Sequence, residues 1–223
     1  MPTEPVKRTL LSVVDQEASR WIRSVAQRRS FKRGEVIFHE GDPGDSVHFI
    51  AAGHVSIRMI TPVGDVATLV VLGPHEFFGE QALLSAGHRR TATASAVEYA
   101  ETLSLRRERF DELRRSQPAV DRFLIDMLAA QVRRLSGQLQ EALYAPAEMR
   151  VLRRLSDMAK SYAASAGPTV IPLTQDDIAH MAGTSRPTTN RVLKAAEADG
   201  LVVVARGRIE VADIEQLAAR CSW

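Results

Sequence analysis

Residues 174–200 read TQDDIAHMAGTSRPTTNRVLKAAEADG. Thr174-Gln175-Asp176-Asp177 has the capping-box form, a hydroxyl three residues before a carboxylate, so each side chain can satisfy an amide that a helix start leaves unpaired. Ile178, Ala179 and Met181 follow as an apolar face. Ala182-Gly183-Thr184 makes a turn, and Ser185 can cap a second helix through Arg186, Pro187, Thr188, Thr189, Asn190, Arg191, Val192, Leu193 and Lys194 to Asp199, with Gly200 as its terminator. Two short helices joined through a Gly-containing turn are the helix-turn-helix pattern. On the second helix Val192, Leu193 and Ala196 belong to the inner face. Pro187, Asn190, Arg191 and Lys194 are left on the outer face, with Arg186 at its leading edge. Arginine can fork to the O6 and N7 of guanine and asparagine can pair with adenine, while lysine more often meets phosphate. The outer face is therefore expected to enter the major groove of double-stranded DNA. Residues 201–204 and 209–211, joined by Ala205-Arg206-Gly207-Arg208, read as a two-stranded wing with a basic tip. A plain αα-corner would share the two helices but not the wing.

Composition bounds this reading. The chain has 223 residues and a net charge of +2. From Pro146 to the end, ten Arg and Lys face nine Asp and Glu, so bulk charge does not argue for nucleic acid. Distribution does: Arg186, Arg191 and Lys194 lie between Thr184 and Ala196 with no acidic residue among them, a local footprint for phosphate. A single cysteine, Cys221, excludes an internal disulfide and a four-thiolate cluster within one chain. The longest apolar stretches, such as residues 66–72, are far short of the roughly 18 residues of a membrane span. Lys7 and Arg8 precede residues 10–14, but Asp15, Glu17 and Arg20 follow at once, so a secretory apolar region is not expected and the cytoplasm is the expected location.

Upstream the grammar changes twice. Residues 10–27 have a helical period, with Trp21, Ile22 and Val25 beside Arg20 and Arg23, suggesting a short helix that flanks something else. From Phe31 to Leu105 short β runs are broken by glycines, the pattern of a sandwich or barrel. Gly41-Asp42-Pro43-Gly44-Asp45 and Thr61-Pro62-Val63-Gly64-Asp65 read as turns. Val55, Ile57 and Met59 alternate with Ser56, Arg58 and Ile60, which predicts a half-buried strand. After Arg106, Phe110 and Leu113 mark a short helix, and Pro118 suits the first turn of a longer one. There Val120, Leu124, Leu128, Val132, Leu135, Leu139 and Leu143 recur at spacings of four, four, four, three, four and four, an apolar stripe that needs a partner along its length. The partner is either the β domain or a second copy in a parallel dimer; Gln131, Gln138 and Ala142 dilute the heptad. Tyr144-Ala145-Pro146-Ala147 interrupts the helix as a hinge.

Two segments carry a resemblance to a family. Phe78-Gly79-Glu80-Gln81-Ala82-Leu83-Leu84, followed by Arg89-Arg90-Thr91-Ala92-Thr93-Ala94, resembles a phosphate-binding cassette of cyclic-nucleotide-binding domains. Residues 183–193 resemble a recognition helix. Over about 190 residues the chain resembles the cyclic AMP receptor protein and fumarate-nitrate regulator family. The resemblance implies an α+β protein with an N-terminal β roll (jelly roll) of about eight strands as sensor, residues 1–116, a dimerisation helix, residues 117–144, and a winged helix-turn-helix, residues 145–223. It implies a homodimeric transcription regulator that binds a roughly palindromic site and touches RNA polymerase, with cyclic AMP as the first expected effector and no covalent cofactor or metal.

By the same resemblance Arg90 pairs with the phosphate and Glu80 with the ribose 2′-hydroxyl, a division of labour that a guanidinium and a carboxylate suit chemically. Gly79 lets the backbone approach, Gln81 lines the cassette, and Thr91 adds a hydroxyl. Arg89 is the neighbouring alternative for the phosphate, and Glu80 with Arg90 as a structural ion pair is the alternative to a ligand site. Three departures stand out. After Arg133-Arg134-Leu135, Gln138 and Leu139 fall where cyclic AMP-binding members have hydroxyls; Gln138 can hydrogen-bond a base edge and Leu139 cannot. The stretch from that helix to the hinge is also a few residues shorter than in the best-known member. In the recognition helix Pro187 replaces a glutamate, so the base it faces is read differently or not at all, whereas Arg186 and Arg191 match base-reading arginines.

Catalysis is not expected. His39, His48, His54, His75, His88 and His180 are scattered, without the close pair a jelly-roll metalloenzyme uses, and each reads as a solitary surface histidine. No P-loop or legible nucleophile with a partner is present. Haem ligation through a histidine such as His75, or a regulator that needs no ligand, are the alternatives to a cyclic nucleotide.

Overall fold

The computed structural model describes residues 10, 14–61, 64–163 and 167–221. Asp15 starts the helix α1 (Gln16–Val25) by accepting from the amide of Ala18 at 2.7 Å, and Ala26 ends it in an extended conformation. The helical period therefore does not extend to Gln27, which already belongs to a strand; residues 11–13 and the basic pair Lys7 and Arg8 lie outside the described residues. Ile22 and Ala18 are buried, with Trp21 and Val25 packed beside them, so α1 flanks an apolar core as its mixed face indicates.

Eight strands follow: β1 (Gln27–Phe31), β2 (Val36–Phe38), β3 (Ser46–Ala52), β4 (Val55–Ile60), β5 (Val66–Leu72), β6 (Phe77–Phe78), β7 (Thr93–Ala96) and β8 (Ala100–Arg106). They form two four-stranded sheets, in the orders β1-β8-β3-β6 and β2-β7-β4-β5. A short helix, α2 (Glu80–Leu84), lies between β6 and β7, and α3 (Arg107–Ser116) buries Phe110 and Leu113 after β8. Along β4 burial falls from Val55 and Ser56, both buried, to Met59 and Ile60, both exposed. The expected alternation is thus replaced by a gradient, because the strand is covered on both faces at its start and on neither at its end. In the turn after it, Gly64 donates to the Thr61 carbonyl at 2.9 Å and Asp65 to the Thr61 hydroxyl at 3.0 Å; Pro62 and Val63 lie outside the described residues.

Pro118 opens the 27-residue helix α4 (Pro118–Tyr144). Its apolar stripe divides: Val120 and Leu124 are buried in the core that also holds Phe110 and Leu113, whereas Val132, Leu135, Leu139 and Leu143 are exposed. The helix stops at Tyr144 and α5 (Ala147–Tyr162) begins after Pro146, so the helix is interrupted where the sequence reading expects. The remaining elements are β9 (Thr169–Ile171), α6 (Gln175–Ala182), α7 (Arg186–Ala198), β10 (Val202–Ala205), β11 (Arg208–Val211) and α8 (Ile214–Ala219). The wing has three strands, in the order β10-β11-β9, not two. Its third strand comes from before the helix-turn-helix, where three residues too short for a periodic signature pair with Ile209, Glu210 and Val211.

Among the described residues, those of 10–55 and 72–135 make one compact unit and those of 56–71 and 136–221 another. The first unit's core joins α1, the sheet β1-β8-β3-β6, α3 and the start of α4 through Ile22, Val47, Phe49, Leu105, Phe110 and Val120. In the second, Val151, Leu155, Ile171, Ile178, Leu193 and Ile209 are fully or almost fully buried. None of the helices searched among the described residues is long and apolar enough to cross a membrane.

Gly53 closes the turn between β3 and β4 with φ of 75°, and a Cβ there would stand 2.2 Å from the Tyr99 carbonyl oxygen. Both the left-handed backbone and the close approach demand glycine. Gly53→Ala is expected to destabilise the chain by about 1–3 kcal/mol in chemical denaturation; an unchanged midpoint would show that the turn relaxes at no cost.

Candidate functional site

The turn at residues 41–45 and the segment 88–90 are laced together by their backbones. Gly41 donates to the Arg90 carbonyl at 2.9 Å, Arg90 to the Asp42 carbonyl at 2.9 Å, and Gly44 to the His88 carbonyl at 2.8 Å. This pairing turns the Arg90 side chain inward, where it is 3 % exposed, and leaves Arg89 on the surface, donating to the Gly41 carbonyl at 2.9 Å. The two neighbouring arginines thus have opposite environments, a distinction that adjacency in the chain does not reveal.

Arg90 Nη1 donates to the carbonyls of Ser46 at 2.7 Å and Gly79 at 3.0 Å, and Nη2 to the Ser46 hydroxyl at 3.1 Å. The guanidinium carbon lies 4.0 Å from the centre of the Phe38 ring, a cation–π distance. Nε is buried without a hydrogen-bond partner. The carboxylate within ion-pair range is that of Asp45, at 3.7 Å, and not that of Glu80. Burial lowers the pKa of Arg90, against the pull of Asp45, Asp42 and Glu80.

Gly79 caps α2 with φ of 87°, and a Cβ on it would fall 2.6 Å from Arg90 Nη1. Glu80 opens the helix and is buried; that burial raises its carboxyl pKa, opposed by its own backbone amide and by Arg90. Gln81 is half-buried and accepts from the exposed Thr91 hydroxyl at 3.0 Å. Gly79, Glu80, Gln81, Arg90 and Thr91 are thereby gathered around one short helix, and Arg89 is turned away from it. Gln138 belongs to the second unit, half-buried on α4.

Residues that the sequence reading passed over hold this arrangement. Ser46, Asp45 and Phe38 surround Arg90 from strand ends and a turn. Arg107 donates to the carbonyls of Gly44 at 2.7 Å and of Ala82 and Leu83 at 3.2 Å each, fixing α2 to that same turn. Sequence separations of 24 to 63 residues leave no local signal for these contacts.

The surface reading of the histidines fails for two of them. His54 is buried and lies 2.7 Å from Glu98, and His48 is buried, stacked on Phe78 at 5.1 Å and 3.2 Å from the Thr102 hydroxyl. His48 lies on β3, whose first five residues are all buried, and His54 lies in the turn between β3 and β4, where the Val97 amide donates to its carbonyl at 2.9 Å. His39, His75 and His88 are exposed, and no group of three or more His, Cys, Asp or Glu that could hold a metal ion occurs among the described residues.

The second candidate site is built on α6 and α7. The capping box forms at Thr174, whose amide donates to Asp177 at 2.9 Å while its hydroxyl accepts from the Asp177 amide at 3.1 Å. Gly183 ends α6 in the left-handed region, and Ser185 caps α7 by accepting from the Thr188 amide at 3.3 Å. Val192, Leu193 and Ala196 are buried, joined by Thr189, whose hydroxyl has no partner. Arg186, Pro187, Arg191 and Lys194 are exposed, as are Ser185 and the wing residues Arg206 and Arg208; Thr184, Thr188 and Asn190 are half-buried. Asp176 Oδ1 lies 3.5 Å from Arg186 Nε.

Residues 28–117 match the model of the cyclic nucleotide-binding domain, and residues 149–220 that of the Crp-like helix-turn-helix domain. The chain is 36% identical over 188 residues to the cyclic AMP receptor protein of Thermus thermophilus, covering 84% of this chain and 85% of that one. The structure of the Thermus thermophilus catabolite activator protein aligns with a TM-score of 0.54 at 32% identity, over 96% of this chain and 99% of that one. FixK2 from Bradyrhizobium japonicum shares the fold, with a TM-score of 0.78 at 22% identity over 89% of this chain and 98% of that one.

His48 supplies a test of the buried cluster beneath α2. Burial first, then the charge of Arg90, lowers its pKa from 6.5 to about 3. A group that binds its proton more weakly when folded makes the unfolded chain the better proton acceptor. Its stabilising contribution is therefore intact above pH 6.5 and lost progressively as the pH falls toward 3. Between pH 7 and 5 this loss is about 2 kcal/mol. In urea denaturation, His48→Phe should lose correspondingly less stability over that interval than the unaltered chain; equal losses would place a titrating imidazole elsewhere.

Proposed function

Given that the chain belongs to the cyclic AMP receptor protein and fumarate-nitrate regulator family of DNA-binding transcription regulators, we propose that it is a homodimer whose DNA binding is gated by cyclic AMP held in its β roll. The observation that carries the effector reading is Arg90, buried beside Glu80 with Nε unpartnered. A buried cation with a free donor suits one phosphodiester charge, because the remaining hydrogen bonds already orient the guanidinium and little ordering is left for the ligand to induce. In this reading Arg90 takes the phosphate, Glu80 accepts from the ribose 2′-hydroxyl, and Gly79 brings a backbone amide close. Gln81 and Thr91 line the site.

What supports the dimer is the exposed run of Val132, Leu135, Leu139 and Leu143 on α4, spaced at three, four and four. Two such helices side by side remove this apolar seam from water. The functional division then follows residues 1–116 as sensor, 117–144 as dimerisation helix and 145–223 as DNA-binding domain. Arg186, Asn190 and Arg191 read base edges from α7, with Pro187 and Thr188 beside them. Thr184, Ser185, Lys194, Arg206 and Arg208 meet phosphates. The two recognition helices enter successive major grooves about 34 Å apart on a roughly palindromic site. The effector selects the dimer arrangement that fits, through a coupling of about 1–3 kcal/mol. The site of action is the cytoplasm, with RNA polymerase as the further partner.

Calorimetric titration of the dimer with cyclic AMP and cyclic GMP, repeated with Arg90→Leu, tests the gating. Saturable binding of cyclic AMP that is lost in the variant, together with cyclic AMP-stimulated operator binding, is expected. Stimulation that survives Arg90→Leu would sink the assignment. Independently, Arg191→Ala should weaken binding at its own operator by about 1–3 kcal/mol and relax the preference at one base position. An equal loss on all sequences would make Arg191 a phosphate contact.

A further inference from the structure

The guanidinium of Arg90 has two working edges. Nη1 is taken up by the fold, through the Ser46 and Gly79 carbonyls. The edge formed by Nε and Nη2 is not: Nε has no hydrogen-bond partner, and Nη2 holds the Ser46 hydroxyl at 3.1 Å. Asp45 flanks this edge, with Oδ1 3.7 Å from Nη2. The contrast in burial is steep, since the Arg90 side chain is 3 % exposed and the Asp45 side chain 78 %. The Ser46 hydroxyl donates to the same Asp45 oxygen at 2.9 Å, so one hydroxyl sits between the cation and the carboxylate.

We infer that Asp45 is an internal competitor for the effector's phosphate: its carboxylate screens the Nε and Nη2 edge of Arg90, and a phosphodiester binds by displacing it. The inference rests on the reading of Arg90 as the phosphate ligand. A carboxylate and a phosphate offer a guanidinium the same paired oxygens, so both suit one edge. At 3.7 Å the attraction is coulombic and lies beyond a hydrogen bond, and an exposed side chain can turn into water at small cost. The cation itself does not have to move, because Phe38 and two carbonyls hold it from the other side. Asp45 therefore lowers the affinity of the site for anions generally. It discriminates most against ligands with more than one negative charge, which leave part of that charge facing the displaced carboxylate. The site is thus set for a singly charged cyclic diester over an open, doubly charged monophosphate.

Titrating the full chain with cyclic AMP and with adenosine 5′-monophosphate, as Asp45→Asn, as Asp45→Glu and unaltered, tests this. Asparagine keeps an acceptor for the Ser46 hydroxyl and removes only the charge. Asp45→Asn should bind cyclic AMP roughly five- to tenfold more tightly and gain a larger factor for the monophosphate, while Asp45→Glu stays near the unaltered chain. Cyclic AMP binding that is no tighter in Asp45→Asn, or Asp45→Glu behaving like Asp45→Asn, would overturn the inference. If cyclic AMP binds none of the three, the effector reading fails on its own, and inorganic phosphate followed by phosphorus NMR decides about Asp45. Phosphate binding gained by Asp45→Asn and lost in the double variant Asp45→Asn with Arg90→Leu supports the competitor, and equal phosphate binding with and without Asp45 refutes it.

Discussion

A buried guanidinium must find acceptors, and in the first unit that requirement organises everything near α2. Arg90 stays charged in the interior only because the start of β3, the residue after β6 and the ring at the end of β2 converge on it. Removing one partner of a buried charge typically costs about 3–5 kcal/mol, so the convergence cannot loosen one contact at a time. Gly79 follows from the same demand, since its carbonyl must approach Nη1 where a Cβ would already stand. Arg107 repeats the device beside it, collecting three carbonyls from the turn before β3 and from α2. The result is a cradle whose hydrogen bonds fix the guanidinium in place.

Arginine serves the second unit in the opposite way. On α7 the inner face of Val192, Leu193 and Ala196 is buried to hold the helix in place, which leaves Arg191 and Lys194 in water. Charges so exposed attract phosphate over a Debye length and lose strength with salt, which suits a search along DNA. Orientation comes from elsewhere: the capping box at Thr174 and the left-handed turn at Gly183 set the angle between α6 and α7. One residue type is thus buried among acceptors in the first unit and exposed to water in the second.

The parts of this architecture that depend on neighbours in the chain were legible from their residues. Caps, turns and the proline at the start of α4 act within four residues, and the helix-turn-helix and the presence of short glycine-broken strands were read from them. The parts that depend on distant strands were not. His48 and His54 look like surface histidines until β3 and the turns after it are closed over by β8, β6 and the segment before β8. Strand β9 was missed because its pairing with β11 lies about 40 residues away. The gradient of burial along β4 was missed for the same reason, since alternation assumes that one face is covered throughout.

The amino-acid sequence by itself determined the helix caps, the glycine and proline turns and the residue types available at each site, because these follow from backbone preferences and short-range hydrogen bonds. Tertiary structure alone decided that Arg90 and not Arg89 turns inward, that Asp45 and not Glu80 stands within ion-pair range of it, and that the stripe on α4 passes from buried at Leu124 through half-buried Leu128 to exposed from Val132 on. Each of these is a question of which surface covers which, and burial is set by the closure of sheets whose strands are far apart in the chain.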